Sequence, residues 1–177
     1  MQAIILAGGL GTRLRSVVSD RPKPMALVEG KPFLEYVLQG LKKSGIDDII
    51  FAVGYKGGMV EEYFGDGSRF GIRARYAYEE ELLGTAGAIK NAGKYVTDKQ
   101  FFVLNGDTFY QMDFGDLSRI QQEKNLEMAL GMSAGDANAE GWRGSREATL
   151  LQQGEEGTGM ALLLGGEAAS TAAWETG

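Results

Sequence analysis

Gly8, Gly9 and Gly11 put three glycines within four residues; Arg13 follows two positions later and Lys23 ten beyond it. That set suits the holding of a polyanion. Without Cβ atoms, backbone N–H groups approach an anion closely, and the two cations add charge to those donors. The run Ala3-Ile4-Ile5-Leu6-Ala7 before them reads as a buried parallel strand, so the turn stands at a strand end. The bland alternative is a tight strand-to-helix turn with solvated Arg and Lys. Pro22 and Pro24 flank Lys23 and fix its backbone, which argues for a placed cation. Two common glycine motifs are excluded. A Walker loop beginning at Gly8 needs glycine where Arg13 stands, and a dinucleotide fingerprint beginning at Gly9 needs one at Leu14.

Asp107 is the second chemical feature. It follows the apolar run Phe101-Phe102-Val103-Leu104 and the pair Asn105-Gly106. A carboxylate at a strand end, opposite a glycine-rich phosphate loop, is where Mg²⁺ would be held. Taken alone, Asp after Asn-Gly is an ordinary turn former. Glu79-Glu80-Glu81, followed by Leu82-Leu83-Gly84-Thr85-Ala86-Gly87, is the third. Most of that acidic stretch reads as a solvated face before a helix.

The string Leu6-Ala7-Gly8-Gly9-Leu10-Gly11-Thr12-Arg13-Leu14 with Arg21-Pro22-Lys23-Pro24-Met25 resembles the signature of the sugar-phosphate nucleotidyltransferases. Those enzymes join a nucleoside triphosphate to a sugar 1-phosphate. The resemblance implies an α/β fold with a mostly parallel sheet flanked by helices, Rossmann-like. It implies Arg13 and Lys23 as catalytic cations, and Mg²⁺ on Asp107. It implies nucleotide contacts at Leu6, Ala7, Gly8, Gly9, Gly11 and Thr12, and further ones at Glu79, Gly84, Thr85 and Asp107. The segment ending in Gly84-Thr85-Ala86-Gly87 would line the base pocket. A carboxylate at Glu79 suits guanine, whose N1–H and 2-amino groups both donate; Glu80 takes that part if the register slips by one. Tyr55 and Lys56 are candidates for the sugar side.

Within that family the chain most resembles the D-glycero-D-manno-heptose 1-phosphate guanylyltransferases. Gly30-Lys31-Pro32-Phe33-Leu34-Glu35-Tyr36, Val53-Gly54-Tyr55-Lys56 and Asn105-Gly106-Asp107-Thr108-Phe109-Tyr110 carry that likeness. It implies GTP and a heptose 1-phosphate as partners. Mannose 1-phosphate guanylyltransferases and glucose 1-phosphate thymidylyltransferases stay open as alternatives, as does a nucleotide-binding remnant or regulatory module without catalysis. The likeness covers residues 1–130 and stops there. The family's second metal-binding aspartate and sugar-contacting lysine have no match; Asp136 and Glu140 are the nearest acids downstream.

Composition agrees with that chemistry by what it lacks. The 177 residues contain no His and no Cys. Ser-His-Asp and Cys-His catalysis, disulfides and thiolate metal sites are therefore excluded. Nucleotidyl transfer needs none of them, since the sugar phosphate oxygen is already an ionised nucleophile. No apolar stretch approaches the length of a membrane span, and a cytoplasmic location is the default. The net charge of −6 lies mostly after residue 130, where seven acids face two Arg and no Lys. The front has no basic stripe for nucleic acid.

The elements that must position these residues alternate. Strands are expected at Ile49–Val53, Ile72–Tyr78 and Phe101–Leu104, and a start of another at Leu126–Leu130. Helices are expected from Pro32 to Gly45, over Met59–Phe64, over Gly84–Gly93 and from Asp113 to Lys124. Arg15–Pro24 reads as an exposed loop. Alternation of this kind makes a mostly parallel sheet, whose ligands bind beyond the carboxyl ends of the strands. Gly8, Gly54, Glu79 and Asp107 all lie just past strand ends. Residues 131–177 differ: they hold ten Gly and nine Ala, and residues 121–177 have no Val, Ile, Phe, Tyr or Pro. This tail is expected to be ill suited to continue a sheet, and to be loose or disordered, with an ordinary helical subdomain as the alternative. A shifted reading frame would produce such a change. An exposed sheet edge left by it would favour self-association, so a homo-oligomer is a further expectation.

Overall fold

The structure is a computed structural model. It describes residues 1–9, 20–81, 83–108 and 113–123, and the backbone of strands at 128–132, 149–152 and 160–165. The strands are β1 (Gln2–Leu6), β2 (Leu27–Val28), β3 (Lys31–Pro32), β4 (Asp48–Val53), β5 (Arg73–Tyr78), β6 (Gln100–Asn105), β7 (Met128–Met132), β8 (Thr149–Gln152) and β9 (Met160–Gly165). The helices are α1 (Phe33–Lys43), α2 (Gly57–Phe64), α3 (Gly84–Gly93) and α4 (Phe114–Glu123).

Seven strands form one sheet in the order β5-β4-β1-β6-β9-β7-β8, and β2 and β3 pair as a separate hairpin. β5, β4, β1 and β6 run parallel. The apolar runs of β1, β4 and β6 are buried on both faces, so alternate side chains serve two cores. Ala3, Ile5, Ile49, Phe51, Val53, Phe102 and Leu104 meet α1, α2 and α4 on one face. Ile4, Ile50, Ala52, Phe101 and Val103 meet α3 on the other, through Ala88, Ile89 and Ala92. The small residues of α3 let it lie close to the sheet.

The α/β reading holds, with a mostly parallel sheet flanked by helices. Three local expectations need correction. First, the exposed loop does not reach Pro24. Pro22, Pro24 and Met25 are buried, in a 3₁₀ turn over Lys23–Met25 where Met25 N donates to Pro22 O at 2.8 Å. Second, the helix expected from Pro32 begins at Phe33, because Lys31–Pro32 pairs with Leu27–Val28 as a strand. Third, the tail does continue the sheet. β9 pairs antiparallel with both β6 and β7, and β8 pairs parallel with β7. β6 would otherwise leave a row of unpaired backbone groups beside the buried run Phe101–Leu104. A segment able to pair satisfies them whatever its intrinsic β preference. The expectation of looseness elsewhere in 131–177 falls on residues outside those described.

Candidate functional site

Strand order reverses at β1. The chain adds β4 and β5 on one side of it, then crosses to place β6 on the other. The carboxyl ends of β1 and β6 thus flank the switch point, where open α/β sheets bind ligands. Backbone pairing runs one residue past the strand ends. Ala7 N donates to Ala52 O at 2.8 Å, Gly106 N to Leu6 O at 2.9 Å, and Glu79 N to Val53 O at 2.8 Å. The register pairs Leu6 with Ala52 and with Asn105, and Val53 with Tyr78. Carried just beyond those pairs, it sets Gly8, Gly54, Glu79 and Asp107 on one rung.

Close approach explains the glycines there. A Cβ on Gly8 would stand 2.6 Å from Glu79 Oε1 and 3.0 Å from Gly54 N. One on Gly54 would stand 2.9 Å from Gly8 O, and one on Gly106 2.9 Å from Leu6 O. The two glycine backbones therefore touch, and the Glu79 carboxylate lies over Gly8. A Cβ on Gly9 would meet nothing within 4 Å. Gly8 and Ala7 are buried while Gly9 is exposed, so the turn opens to solvent at Gly9.

Glu79 is half-buried, whereas Glu80 and Glu81 are exposed. Glu79 Oε2 accepts from Leu83 N at 3.3 Å, and Leu83 caps the start of α3. A carboxylate at a helix N-terminus is favoured by the orphan N–H groups and the dipole. Asn91 Nδ2 of α3 donates to Tyr78 O at 2.9 Å and holds the end of β5 just before Glu79. Gly84, at φ +67°, and Thr85 are exposed at the same helix start.

Lys23 Nζ donates to Asp107 Oδ2 at 2.5 Å, an ion pair between residues 84 apart in sequence. Asp107 Oδ1 accepts from Thr108 Oγ1 at 3.3 Å. Tyr55 and Lys56 follow Gly54; Tyr55 is exposed, and Lys56 Nζ lies 5.3 Å from its ring centroid. Gly11, Thr12 and Arg13 lie outside the described residues, as do Asp136 and Glu140.

The fit to a metal can be judged from the donors. Among the described residues no three His, Cys, Asp or Glu side chains gather as a metal cage. Asp107 offers a hard carboxylate, one-third exposed. That suits Mg²⁺, which takes one or two carboxylates and completes its shell with phosphates and water. Sequence reasoning already set Gly54 beside Gly8, Glu79 and Asp107 past the strand ends, and its close approach to Gly8 agrees. The signal was there, since glycine directly follows the buried run ending at Val53. The Lys23–Asp107 contact left no trace in periodicity.

Comparison with known proteins gives the site a setting. The family described as "Nucleotidyl transferase" matches residues 2–142. D-glycero-alpha-D-manno-heptose 1-phosphate guanylyltransferase of Campylobacter jejuni is 53% identical over 117 residues, covering 66% of this chain and 52% of that protein. The enzyme of the same name from Aneurinibacillus thermoaerophilus is 52% identical over 132 residues, covering 73% and 57%. The chain thus spans about half the length of these curated relatives. The crystal structure of HddC from Yersinia pseudotuberculosis complexed with GMP-PN superposes with a TM-score of 0.70 at 31% identity, covering 97% of this chain and 79% of that one.

Proposed function

The chain belongs to the nucleotidyl transferase family, and on that premise we propose that it transfers a guanylyl group from GTP to a sugar 1-phosphate, releasing pyrophosphate. The observation that carries this reading is the rung at the strand ends. It sets bare backbone at Gly8, a carboxylate at Glu79 and the Lys23–Asp107 pair along one row at the strand ends. The identity to two heptose 1-phosphate guanylyltransferases favours D-glycero-α-D-manno-heptose 1-phosphate as acceptor. Residues 1–130 are the nucleotidyltransferase core in this reading, and 131–177 a divergent tail.

Each residue then has a chemical task. The turn at Gly8, Gly9, Gly11 and Thr12 receives the triphosphate with its N–H groups, with Leu6 and Ala7 setting its entry. Arg13 and Lys23 stabilise charge on the phosphates as the acceptor oxygen attacks the α-phosphorus in line and pyrophosphate leaves. Glu79 accepts from guanine N1–H and the 2-amino group, while its Oε2 can keep the bond to Leu83 N, because each oxygen has two lone pairs. Gly84 and Thr85 border the base. Tyr55 and Lys56 face the sugar side. Asp107 would hold Mg²⁺, which when bound neutralises phosphate charge. No helix among the described residues is long and apolar enough to cross a membrane, and the substrates are those of a cytoplasmic enzyme.

The test is pyrophosphate release with Mg²⁺, GTP and the heptose 1-phosphate, with dTTP and glucose 1-phosphate as the contrasting pair. Release with the first pair alone supports the reading, and release with the second pair overturns the base assignment. A second reading is favoured by the absence, among the described residues, of any group of three His, Cys, Asp or Glu side chains that could hold a metal: a nucleotide-binding module without turnover. GTP binding without release under the same conditions selects it.

A further inference from the structure

The Lys23–Asp107 pair joins the two groups that the proposed reaction needs apart, one for phosphate and one for metal. We propose that Lys23 is a resident stand-in cation. In the nucleotide-free chain its ammonium occupies the carboxylate, and a divalent metal gains Asp107 only when a triphosphate takes the lysine in exchange. This rests on the nucleotidyl-transfer reading and describes how the same site is loaded.

The geometry supports an exchange made by the lysine alone. Asp107 follows Gly106, whose N–H is tied to Leu6 O and whose missing Cβ lets the turn lie on β1. The backbone leading to that carboxylate is tied to the sheet. The backbone of Lys23 is equally fixed, by the turn from Pro22 and by Phe33 N donating to Ala26 O at 2.8 Å. Its four-carbon stem is not, and it carries Nζ through a wider range than the single methylene of Asp107 gives the carboxylate. Both carboxylate oxygens are already engaged, by Lys23 and by Thr108. A metal arriving alone meets a neutralised carboxylate and a like charge beside it. A triphosphate offers the ammonium several anionic oxygens at once, and the carboxylate is released as the metal arrives with them. The pair is 40% and 32% exposed. Such pairs are weak, so the lock can be opened by substrate.

Free Mn²⁺, counted by its electron spin resonance signal, reads the lock without turnover. Titrations use the full chain without nucleotide. Lys23→Met should bind Mn²⁺ about fivefold more tightly than wild type, the scale of one exposed ion pair. Lys23→Arg, which keeps the charge, should match wild type, and adding Asp107→Asn to Lys23→Met should erase the gain. The same Lys23→Met change should weaken GTP binding at least fivefold, so one substitution moves the two affinities in opposite directions. Equal Mn²⁺ affinity in Lys23→Met and wild type overturns the exchange. A further arm separates this from the parent reading: with GTP present, Asp107→Asn should lose Mn²⁺ that wild type retains. If that loss occurs but Lys23→Met gains nothing, the exchange fails and the metal assignment stands. If Asp107→Asn changes nothing with GTP, the metal assignment fails and takes the exchange with it.

Discussion

β6 divides the sheet into two halves built by different rules. On one side, β1, β4 and β5 run parallel, joined through helices, with apolar runs buried on both faces. On the other, β9 lies antiparallel to β6 and β7, and β8 closes the edge. The first half is rich in Ile, Val and Phe. The second half comes from sequence rich in Gly, Ala and Leu. Composition alone makes the first half a sheet. The second is a sheet because β6 has an edge to satisfy. Every residue assigned to the rung stands at the end of a first-half strand or of β6 itself, so the chemistry depends on the second half only through what it does for β6.

Deleting residues 128–177 tests that dependence, and its expected effect is the largest. β6 would then present an unpaired edge along Gln100–Leu104, whose partners run from Gly165 to Ala161 of β9. An exposed apolar edge is a template for association. The shortened chain should elute as concentration-dependent oligomers, where the full chain stays at one size. A monomer as stable as the full chain would mean that the second half is a bystander, and the contrast between the halves would lose its meaning.

The same contrast explains what the sequence disclosed. β1, β4 and β6 were legible as apolar runs, and α3 was legible to its ends at Gly84 and Gly93. Gly8, Gly54, Glu79 and Asp107 could be placed at strand ends by counting, and register turned that into a common rung. β9 was not legible. Met160-Ala161-Leu162-Leu163-Leu164 carries no β-branched residue, and its strand state is imposed by β6. The cause lies in pairing between residues some 60 apart, which no local period reports. The Lys23–Asp107 pair escaped for the same reason.

Within the parallel half, packing should weigh most. Phe51 is fully buried and stacks on Phe64 at 5.3 Å and Tyr76 at 5.5 Å between ring centroids. Phe51→Ala removes those contacts and leaves a cavity, at a cost of about 3–5 kcal/mol. The urea midpoint checks it. A loss below about 1 kcal/mol would show that the core of this half repacks easily. Next comes the polar tie at the other end of the strands. Asp48, 8% exposed, accepts from Arg75 Nη2 at 2.6 Å, meets Arg73 at 3.3 Å and accepts from Gln2 Nε2 at 3.2 Å. It therefore links β5, β4 and β1. Asp48→Asn leaves Arg75 without its counter-charge and should cost about 2 kcal/mol, less than a fully buried pair because water still reaches the arginines. Asp98, paired with the N-terminus at 3.6 Å and 41% exposed, is the contrast, and Asp98→Asn should leave the urea midpoint almost unmoved.

The smallest effect separates the halves by pH. All seven tyrosines lie at or before Tyr110, and the second half has none. An alkaline loss of stability from tyrosine therefore reports the parallel half alone. Tyr78 donates to Glu61 Oε2 at 2.5 Å, and that bond, with burial and the nearby negative charge, pushes its hydroxyl up to about 12. Burial pushes Tyr76 up to about 12 as well. A tyrosine raised in the fold binds its proton more tightly there than in the unfolded chain. Its contribution is complete below about pH 10 and is lost as pH climbs towards 12. The urea midpoint should fall across that window. Tyr63 is raised too, by burial and its bond to Glu35. Tyr78→Phe removes one of these three contributors and should make the fall shallower, while lowering the midpoint slightly at pH 8. Tyr78 is 46% exposed, so solvent screening holds its share to a few tenths of a kcal/mol. An unchanged slope in Tyr78→Phe would assign the alkaline loss to Tyr76 and Tyr63, both half-buried against the core cluster, returning the effect to the core of the same half.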